Sequence, residues 1–167
     1  MEISIRHAEP SDVEDVHQIY SGINVIRWNT RAPYAPLEAH RRRLQPEDHK
    51  RKLAAVVDNK VVGYTELETL SGIRMRHVGR IVTMAVRDDM QGKGIGSALM
   101  RAHIDLADNY LQVIRFYLEV WSDNEAAIRL YKKFGFEVEG THVWFGVRDG
   151  EFADALTMAR IRPLTIA

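Results

Sequence analysis

The sequence of 167 residues predicts an α+β domain with a mixed, mostly antiparallel sheet of about seven strands flanked by about four helices. Two tight-turn signals, Asp58–Lys60 and Asp149-Gly150, each lie between β-rich runs and predict hairpins. A strand–helix–strand stretch over Val78–Trp121 predicts one parallel crossover. The length suits one domain, and no repeat or linker divides the chain, so we expect a single domain over residues 1–167.

The first elements are a strand and two helices. Ile3 and Ile5 alternate with polar residues, as in a half-buried strand. Pro10 opens a helix that Gly22 ends. Three apolar residues share one face of that helix: Val13, Val16 and Ile19.

A charged stretch over Leu37–Leu53 predicts the second helix, after an irregular segment from Gly22 to Pro36. It contains the basic run His40–Arg43. Lysine plus arginine and aspartate plus glutamate each total 23, so the net charge is zero and no global field attracts nucleic acid or an anionic membrane. We therefore interpret the basic run as a solvated helix face.

The remaining elements follow from the same patterns. The predicted strands are Leu53–Val57, Val61–Leu70, Val78–Val86, Phe116–Trp121, Val143–Val147 and Phe152–Met158. One helix is predicted from Ile95 to the region of Asn109, and another begins at Asp123-Asn124 and ends at Gly135.

The composition excludes several kinds of chemistry. Without cysteine the chain has no disulfide, thiolate nucleophile or Cys-ligated zinc site. No two of its seven histidines form an H-x-x-x-H pair, so we expect no metal. It has no leader-like start and no run near the roughly 18 apolar residues of a membrane span, so we expect a soluble, cytoplasmic protein.

The glycine cluster Gly92-Lys93-Gly94-Ile95-Gly96 lies between a predicted strand and a predicted helix. Such a loop brings backbone N–H groups close to a phosphate, although a flexible turn has the same composition. A Walker loop is excluded because no Lys-Ser or Lys-Thr pair follows. A dinucleotide-binding loop fits poorly, because Ser97 occupies its sixth position and Arg87–Gln91 separates the strand from the first glycine.

The segment Gln91–Gly96 resembles the acyl-CoA signature Q/R-x-x-G-x-G/A of the GNAT N-acetyltransferases. A second block, Leu118–Ile128 followed by Leu130–Phe136, resembles the family's strand, Asn-x-x-Ala-x-x-x-Tyr helix and Gly-Phe ending. Further matches at Asn29-Thr30, at Pro33-Tyr34 and in the tail Val147–Phe152 with Asp154 resemble a bacterial subgroup that acetylates free L-amino acids or similar small amines. The resemblance covers nearly the whole chain.

The resemblance implies the GNAT fold and acetyl-CoA as co-substrate. The backbone of the strand before the loop would hold the pantetheine arm, and the loop amides would receive the pyrophosphate. The implied cofactor-binding residues are Met84, Ala85, Val86, Gln91, Gly92, Lys93, Gly94, Ile95, Gly96, Ser97, Asn124 and Ala127. Lys93 equally fits a plain exposed lysine, and Asn124 would cap its helix in either case.

The resemblance assigns Tyr131 as the donor to the departing sulfur, with a core tyrosine as the alternative. Glu119 is the first candidate for general base, although strand alternation equally permits a role in sheet pairing. Glu66, Glu68 and His77 are further candidates for the base, each also compatible with a structural or solvent-facing role.

The amine pocket is predicted from aromatic and polar residues in two regions: Trp28, Asn29, Tyr34, Trp144 and Arg148. Arg148 would bind a carboxylate in bidentate fashion, and the alternative for both tryptophans is ordinary core. We predict direct transfer from acetyl-CoA to a small primary amine. The open alternatives are a protein N-terminal acetyltransferase and a non-catalytic acyl-CoA sensor. We expect no nucleic-acid or membrane partner, and relatives imply that a homodimer can form.

Overall fold

A computed structural model describes residues 1–163, which form seven strands and five α-helices. The strands are β1 (Ser4–His7), β2 (Lys50–Val57), β3 (Lys60–Thr69), β4 (Val78–Val86), β5 (Arg115–Trp121), β6 (Glu137–Arg148) and β7 (Glu151–Ile161). The helices are α1 (Val13–Tyr20), α2 (Ile23–Trp28), α3 (Leu37–Arg43), α4 (Ile95–Asp105) and α5 (Glu125–Lys133). The strand order is β1-β2-β3-β4-β5-β7-β6, which confirms the α+β class with a mixed sheet.

The chain divides into two compact units. The first comprises Met1–Leu67 and Val82–Ala102, and the second comprises Glu68–Ile81 and the chain from His103 onward. No helix within residues 1–163 is long and apolar enough to cross a lipid bilayer.

In the first unit, β1 pairs antiparallel with β2 over the whole of Ser4–His7. The turn between β2 and β3 places Asp58 and Asn59 at φ of 48° and 60°, as a two-residue hairpin requires. Helix α4 packs tightly on β3, because a β-carbon added at Gly63 would lie 2.8 Å from Cγ2 of Ile95. The core of this unit includes Val16, Ile19, Val25, Leu44, Ala54, Val61 and Tyr64.

In the second unit, β4 and β5 pair in parallel over Val78–Arg80 and Arg115–Tyr117. Strand β5 pairs antiparallel with β7 along its entire length, and β6 forms the edge of the sheet. The β6–β7 hairpin closes through Asp149 and Gly150, which have φ of 54° and 82°. Its register shifts between Val138 and Gly140 and again between His142 and Gly146.

The predicted helix over Leu37–Leu53 is wrong in its second half, since α3 ends at Arg43 and β2 begins at Lys50. Lys52 explains the error. Its buried ammonium donates to the carbonyl oxygens of Arg43 and Gln45 and to Oε1 of Glu47, at 2.6, 2.5 and 2.8 Å. A charged residue with all three donors satisfied can occupy a buried strand position, which a sequence pattern does not reveal.

Two further predictions need correction, and a third is confirmed in its extent but differs in helix type. Helix α2 lies in the segment expected to be irregular. The run His40–Arg43 is not wholly solvated, because both His40 and Arg43 are buried. The helix predicted to reach Asn109 has regular α geometry only to Asp105 and continues as a π-helical turn over Leu106–Tyr110.

Candidate functional site

The glycine cluster forms an open loop between β4 and α4. Gly92 and Gly94 have φ of 74° and 87°, a conformation that other residues adopt only at a cost. A β-carbon built at either position would meet no heavy atom within 4 Å. Glycine is therefore required by the backbone conformation, and the space around the loop is open to a ligand.

The first turn of α4 adds hydrogen-bond donors to this loop. The amide of Ala98 donates to the carbonyl of Gly94 at 3.0 Å, which is the first bond of the helix. The preceding amides, of Ile95, Gly96 and Ser97, have no acceptor within a helix of this geometry and lie at its positive end. Donors of this kind fit the pyrophosphate of an acyl-CoA. The exposed Lys93, with Nζ 3.8 Å from Sδ of Met90, adds a cation nearby.

Asp88 connects this loop to α2. One carboxylate oxygen accepts from the amide of Asn24 at 3.0 Å, and the other accepts from Nε2 of Gln91 at 3.3 Å. A β-carbon at Gly22 would lie 2.8 Å from the Asp88 carboxylate, so glycine permits this close approach. The same Gln91 nitrogen donates to the carbonyl of Val86 at 3.1 Å and holds the side chain at the end of β4.

The end of β4 offers partly exposed positions around a buried one. Met84 and Val86 are half-buried, whereas Ala85 is buried and belongs to the core. The backbone of β4 is the part that the resemblance assigns to the pantetheine arm, and that role stays a prediction.

In the second unit, Asn124 caps α5 as predicted. Its side-chain oxygen accepts from the amide of Ala127 at 3.2 Å. Gly135 follows the helix at φ of 84°, which confirms the predicted left-handed ending. The contacts of Asn124 and Ala127 with a cofactor stay predictions.

Tyr131 lies on α5 with its ring centroid 6.0 Å from that of Phe136. Burial raises the pKa of Tyr131 to about 12. The phenol is therefore fully protonated at neutral pH. It is also a weaker acid than a thiol of pKa about 8.5, so it is suited to donate a hydrogen bond to a thiolate rather than to give up its proton.

Glu119 occupies a half-buried position of β5, opposite Thr157 of β7. It lies on the strand face opposite the buried Phe116, Leu118 and Val120. Both predicted roles, general base and sheet pairing, stay open for this carboxylate.

The three further candidates for the general base, Glu66, Glu68 and His77, differ in burial and in hydrogen bonding. Glu68 accepts a hydrogen bond from the Arg80 guanidinium at 2.9 Å, and His77 is exposed. Glu66 is buried and accepts from the Tyr64 hydroxyl at 2.9 Å.

A cavity of about 30 Å³ lies in the first unit. Two predicted pocket residues, Asn29 and Tyr34, line it. The residues lining the cavity are Tyr20, Ser21, Ile26, Asn29, Arg31, Ala32, Tyr34, Ala35 and His40. Trp28 is not among them. It is half-buried, with the guanidinium carbon of Arg27 5.2 Å from its ring centroid.

The other two predicted pocket residues lie in the second unit. Trp144 is 69% exposed and stacks on Phe152, so the alternative that it is core is wrong. Arg148 donates to both carboxylate oxygens of Asp123, at 3.1 and 2.5 Å, and lies over the ring of Trp121. Its bidentate site is thus occupied by Asp123, and binding a substrate carboxylate there requires this ion pair to open.

Sequence analysis missed a buried cluster around Arg43. The guanidinium carbon lies 4.7 Å from the ring centroid of Tyr20 and 5.9 Å from that of Tyr64, and Nε lies 3.4 Å from Oε1 of Glu66. The three-residue spacing of His40 and Arg43 places them on one helix face. That spacing was the available signal, but it does not say which face is buried. Within residues 1–163, no group of three or more metal-ligating side chains is found.

The fold is that of acetyltransferases. Over 100% of this chain and 98% of the other, it superimposes with a TM-score of 0.86 on yncA, an acetyltransferase from Salmonella typhimurium solved with its cofactor acetyl-CoA, at 22% sequence identity. The chain belongs to the acetyltransferase (GNAT) family, whose sequence profile matches residues 13–136. The predicted family and the predicted enzyme class are confirmed.

Two curated relatives have different substrates in their names. The L-amino acid N-acetyltransferase AaaT of Escherichia coli K12 is 37% identical, over 96% of this chain and 99% of the relative. An N-alpha-acetyltransferase of Sulfurisphaera tokodaii is 32% identical, over 95% of this chain and 92% of the relative. The chain therefore catalyses acetyl transfer in a family that uses acetyl-CoA.

Proposed function

We propose that this enzyme acetylates the primary amine of a free L-amino acid or a close analogue, by direct attack of the amine in a ternary complex with acetyl-CoA. The observation that carries the substrate class is the 37% identity with AaaT over nearly the full length of both chains. The motifs at Asn29-Thr30 and Pro33-Tyr34 support the same subgroup.

In the proposed complex, the amides of the loop and of the first turn of α4 bind the pyrophosphate. The positive φ of Gly92 and Gly94 supports this role, because it holds the loop in an open form with no neighbouring atom where a side chain would be. The backbone near Met84 and Val86 would hold the pantetheine arm in the manner of an added strand. Bound acetyl-CoA supplies the acetyl group as an activated thioester.

Tyr131 would donate a hydrogen bond to the departing sulfur. Its raised pKa supports this role, since the hydroxyl keeps its proton throughout the pH range in which an amine is nucleophilic. Glu119, directly or through water, would accept the proton that the amine loses. Only the neutral amine attacks the thioester, so a base that takes up this proton favours the reaction.

Thiol release from acetyl-CoA, measured with a panel of free amines, tests the proposal. We expect turnover with a subset of L-amino acids and little with polyamines or aminoglycosides. Turnover confined to one of the latter classes would contradict the proposed substrate.

The second candidate is acetylation of protein N-termini, favoured by the 32% identity with the N-alpha-acetyltransferase. Short peptides with free N-termini belong in the same panel. Turnover with peptides and none with free amino acids would establish this alternative. The remaining alternative, a non-catalytic acyl-CoA sensor, predicts binding of acetyl-CoA with no thiol release from any amine.

A further inference from the structure

We infer that Arg43 binds the carboxylate of the acceptor amino acid and thereby selects amino acids over amines that lack this group. This inference rests on the proposed function, since it assigns a specificity residue to that reaction. Four observations in the first unit carry it: unused donors on Arg43, the rings that flank it, a neighbouring cavity, and a link to β4.

The Arg43 side chain is only 5% exposed, yet most of its donors are unused. Within residues 1–163, no group accepts a hydrogen bond from Nη1 or Nη2. The nitrogen Nε lies 3.4 Å from Oε1 of Glu66. Buried guanidinium groups are normally paired, so an arginine with both terminal nitrogens unsatisfied indicates a site for an anion.

Two tyrosine rings flank the guanidinium of Arg43. Its guanidinium carbon lies 4.7 Å from the ring centroid of Tyr20 and 5.9 Å from that of Tyr64. A cation held against aromatic faces keeps its in-plane donors available for hydrogen bonds. The two terminal nitrogens then match the two oxygens of a carboxylate.

The cluster adjoins the cavity of the first unit. Tyr20 and His40 both line this cavity, and their rings stack with centroids 5.3 Å apart. Burial lowers the pKa of His40, which favours the neutral ring over a second cation beside Arg43. A cavity of about 30 Å³ exceeds the ~10–15 Å³ needed for one water molecule, so a small polar group fits there.

Tyr20 also connects the cluster to β4. Its hydroxyl lies 2.8 Å from Oγ1 of Thr83, the residue before Met84. The carbonyl of Thr83 accepts from the hydroxyl of Thr65 at 2.8 Å, which fixes this part of the strand. The side chains of Tyr20 and Thr83 therefore connect Arg43 to the segment of β4 to which we assign the pantetheine arm.

A carboxylate is the anion that the local charges favour. Glu66 already balances the charge of Arg43, so a dianion such as a phosphate would leave excess negative charge in a buried place. An amino acid adds a single carboxylate, and its net charge is close to zero as long as its amine is still protonated. Polyamines have no acceptor for the two terminal nitrogens, and an amino-acid amide has one uncharged carbonyl oxygen in place of the two carboxylate oxygens.

The test compares an L-amino acid that is a substrate with its own carboxamide, using thiol release from acetyl-CoA. A charge-assisted bidentate contact predicts a kcat/KM about 10- to 100-fold higher for the acid than for the amide. Arg43→Lys keeps the charge but removes the planar pair of donors. We expect this variant to lose most of the preference because kcat/KM for the acid falls. The kcat/KM for the amide should change less than about threefold.

Arg42→Lys is the matched control, because Arg42 is the exposed neighbour on the same helix. It should leave both substrates unchanged. Thermal melting of each variant separates misfolding from altered specificity. If Arg43→Lys does not fold, Arg43→Gln takes its place and should lose the same preference, while equal kcat/KM for acid and amide in the unaltered enzyme still overturns the inference.

The results separate the inference from the proposed function. Equal turnover of acid and amide, or a preference that survives in Arg43→Lys, overturns the role of Arg43 and leaves amino-acid acetylation intact. Turnover with peptides and no free amino acid overturns both. A preference for the acid that is lost in Arg43→Lys and kept in Arg42→Lys supports the inference.

Discussion

The buried histidine of α4 makes the stability of the enzyme depend on pH. His103 is fully buried, and burial lowers the pKa of His103 to about 3. In the unfolded chain the same ring has a pKa near 6.5. Between these two values the unfolded chain binds a proton that the folded chain does not, so stability falls as the pH falls below about 6.5.

The size of this effect follows from the two pKa values. Lowering the pH from 7.5 to 5.0 takes the unfolded ring from mostly neutral to almost fully protonated. The interval from pH 6.5 to 5.0 covers about 1.5 units, and each unit lowers the free energy of unfolding by about 1.4 kcal/mol. We therefore expect His103 to remove about 2 kcal/mol from the free energy of unfolding, a large fraction of the roughly 5–15 kcal/mol of a typical domain.

Urea unfolding at a series of pH values measures this loss. Replacing His103→Gln removes the titrating group, so the loss between pH 7.5 and 5.0 should be about 2 kcal/mol smaller than in the unaltered chain. His77→Gln, the same replacement at an exposed histidine, is the control for the substitution itself. Equal pH dependence in His103→Gln and in the unaltered chain would refute the reasoning.

Three other substitutions test the site and the fold. Tyr131→Phe should lower kcat by about 10²- to 10³-fold and leave the Kd for CoA, measured by calorimetry, within about twofold; unchanged turnover would remove Tyr131 from the mechanism. Gly94→Ala should cost about 1–2 kcal/mol of stability in urea unfolding because of its φ of 87°, and should weaken CoA binding in the same calorimetric experiment; undiminished affinity would argue against the loop as the phosphate site. Gly146→Ala should lower the free energy of unfolding by about 1–3 kcal/mol, because its β-carbon would lie 2.9 Å from Trp121. Gly140→Ala, which meets no atom within 4 Å, should be neutral, and equal effects at the two glycines would contradict the packing argument.

The parts of the fold that could be predicted from sequence are those determined by local chemistry. Both hairpins were placed correctly, because Asp58-Asn59 and Asp149-Gly150 are residues that tolerate the positive φ of such turns. The cap at Asn124 and the ending at Gly135 depend on side-chain and backbone preferences within a few residues.

The errors arose where distant residues decide the structure. Helix α2 begins at a point where Asp88, far along the chain, accepts from the amide of Asn24. The start of β2 depends on the three oxygens that surround the ammonium of Lys52. Neither arrangement leaves a periodic pattern in the sequence.

The candidate site shows the same division. The glycine loop was evident because a motif of small residues records a backbone requirement. The burial of Arg43 was not evident, since its partners lie on two other elements, with Tyr20 on α1 and both Tyr64 and Glu66 on β3. The ion pair between Arg148 and Asp123 could likewise not be predicted from the sequence, because it depends on the position of the β6–β7 hairpin in the fold.

The shape of β6 bears on how the enzyme behaves at high concentration. An outer strand with apolar side chains, such as Val143 and Val147 here, is a template onto which further chains can add and grow into fibrils. The two register shifts interrupt this template, because a bulge twists the strand and misaligns its free amides and carbonyls. Strand-by-strand polymerisation is thereby hindered by the backbone itself, without charged residues at these apolar positions.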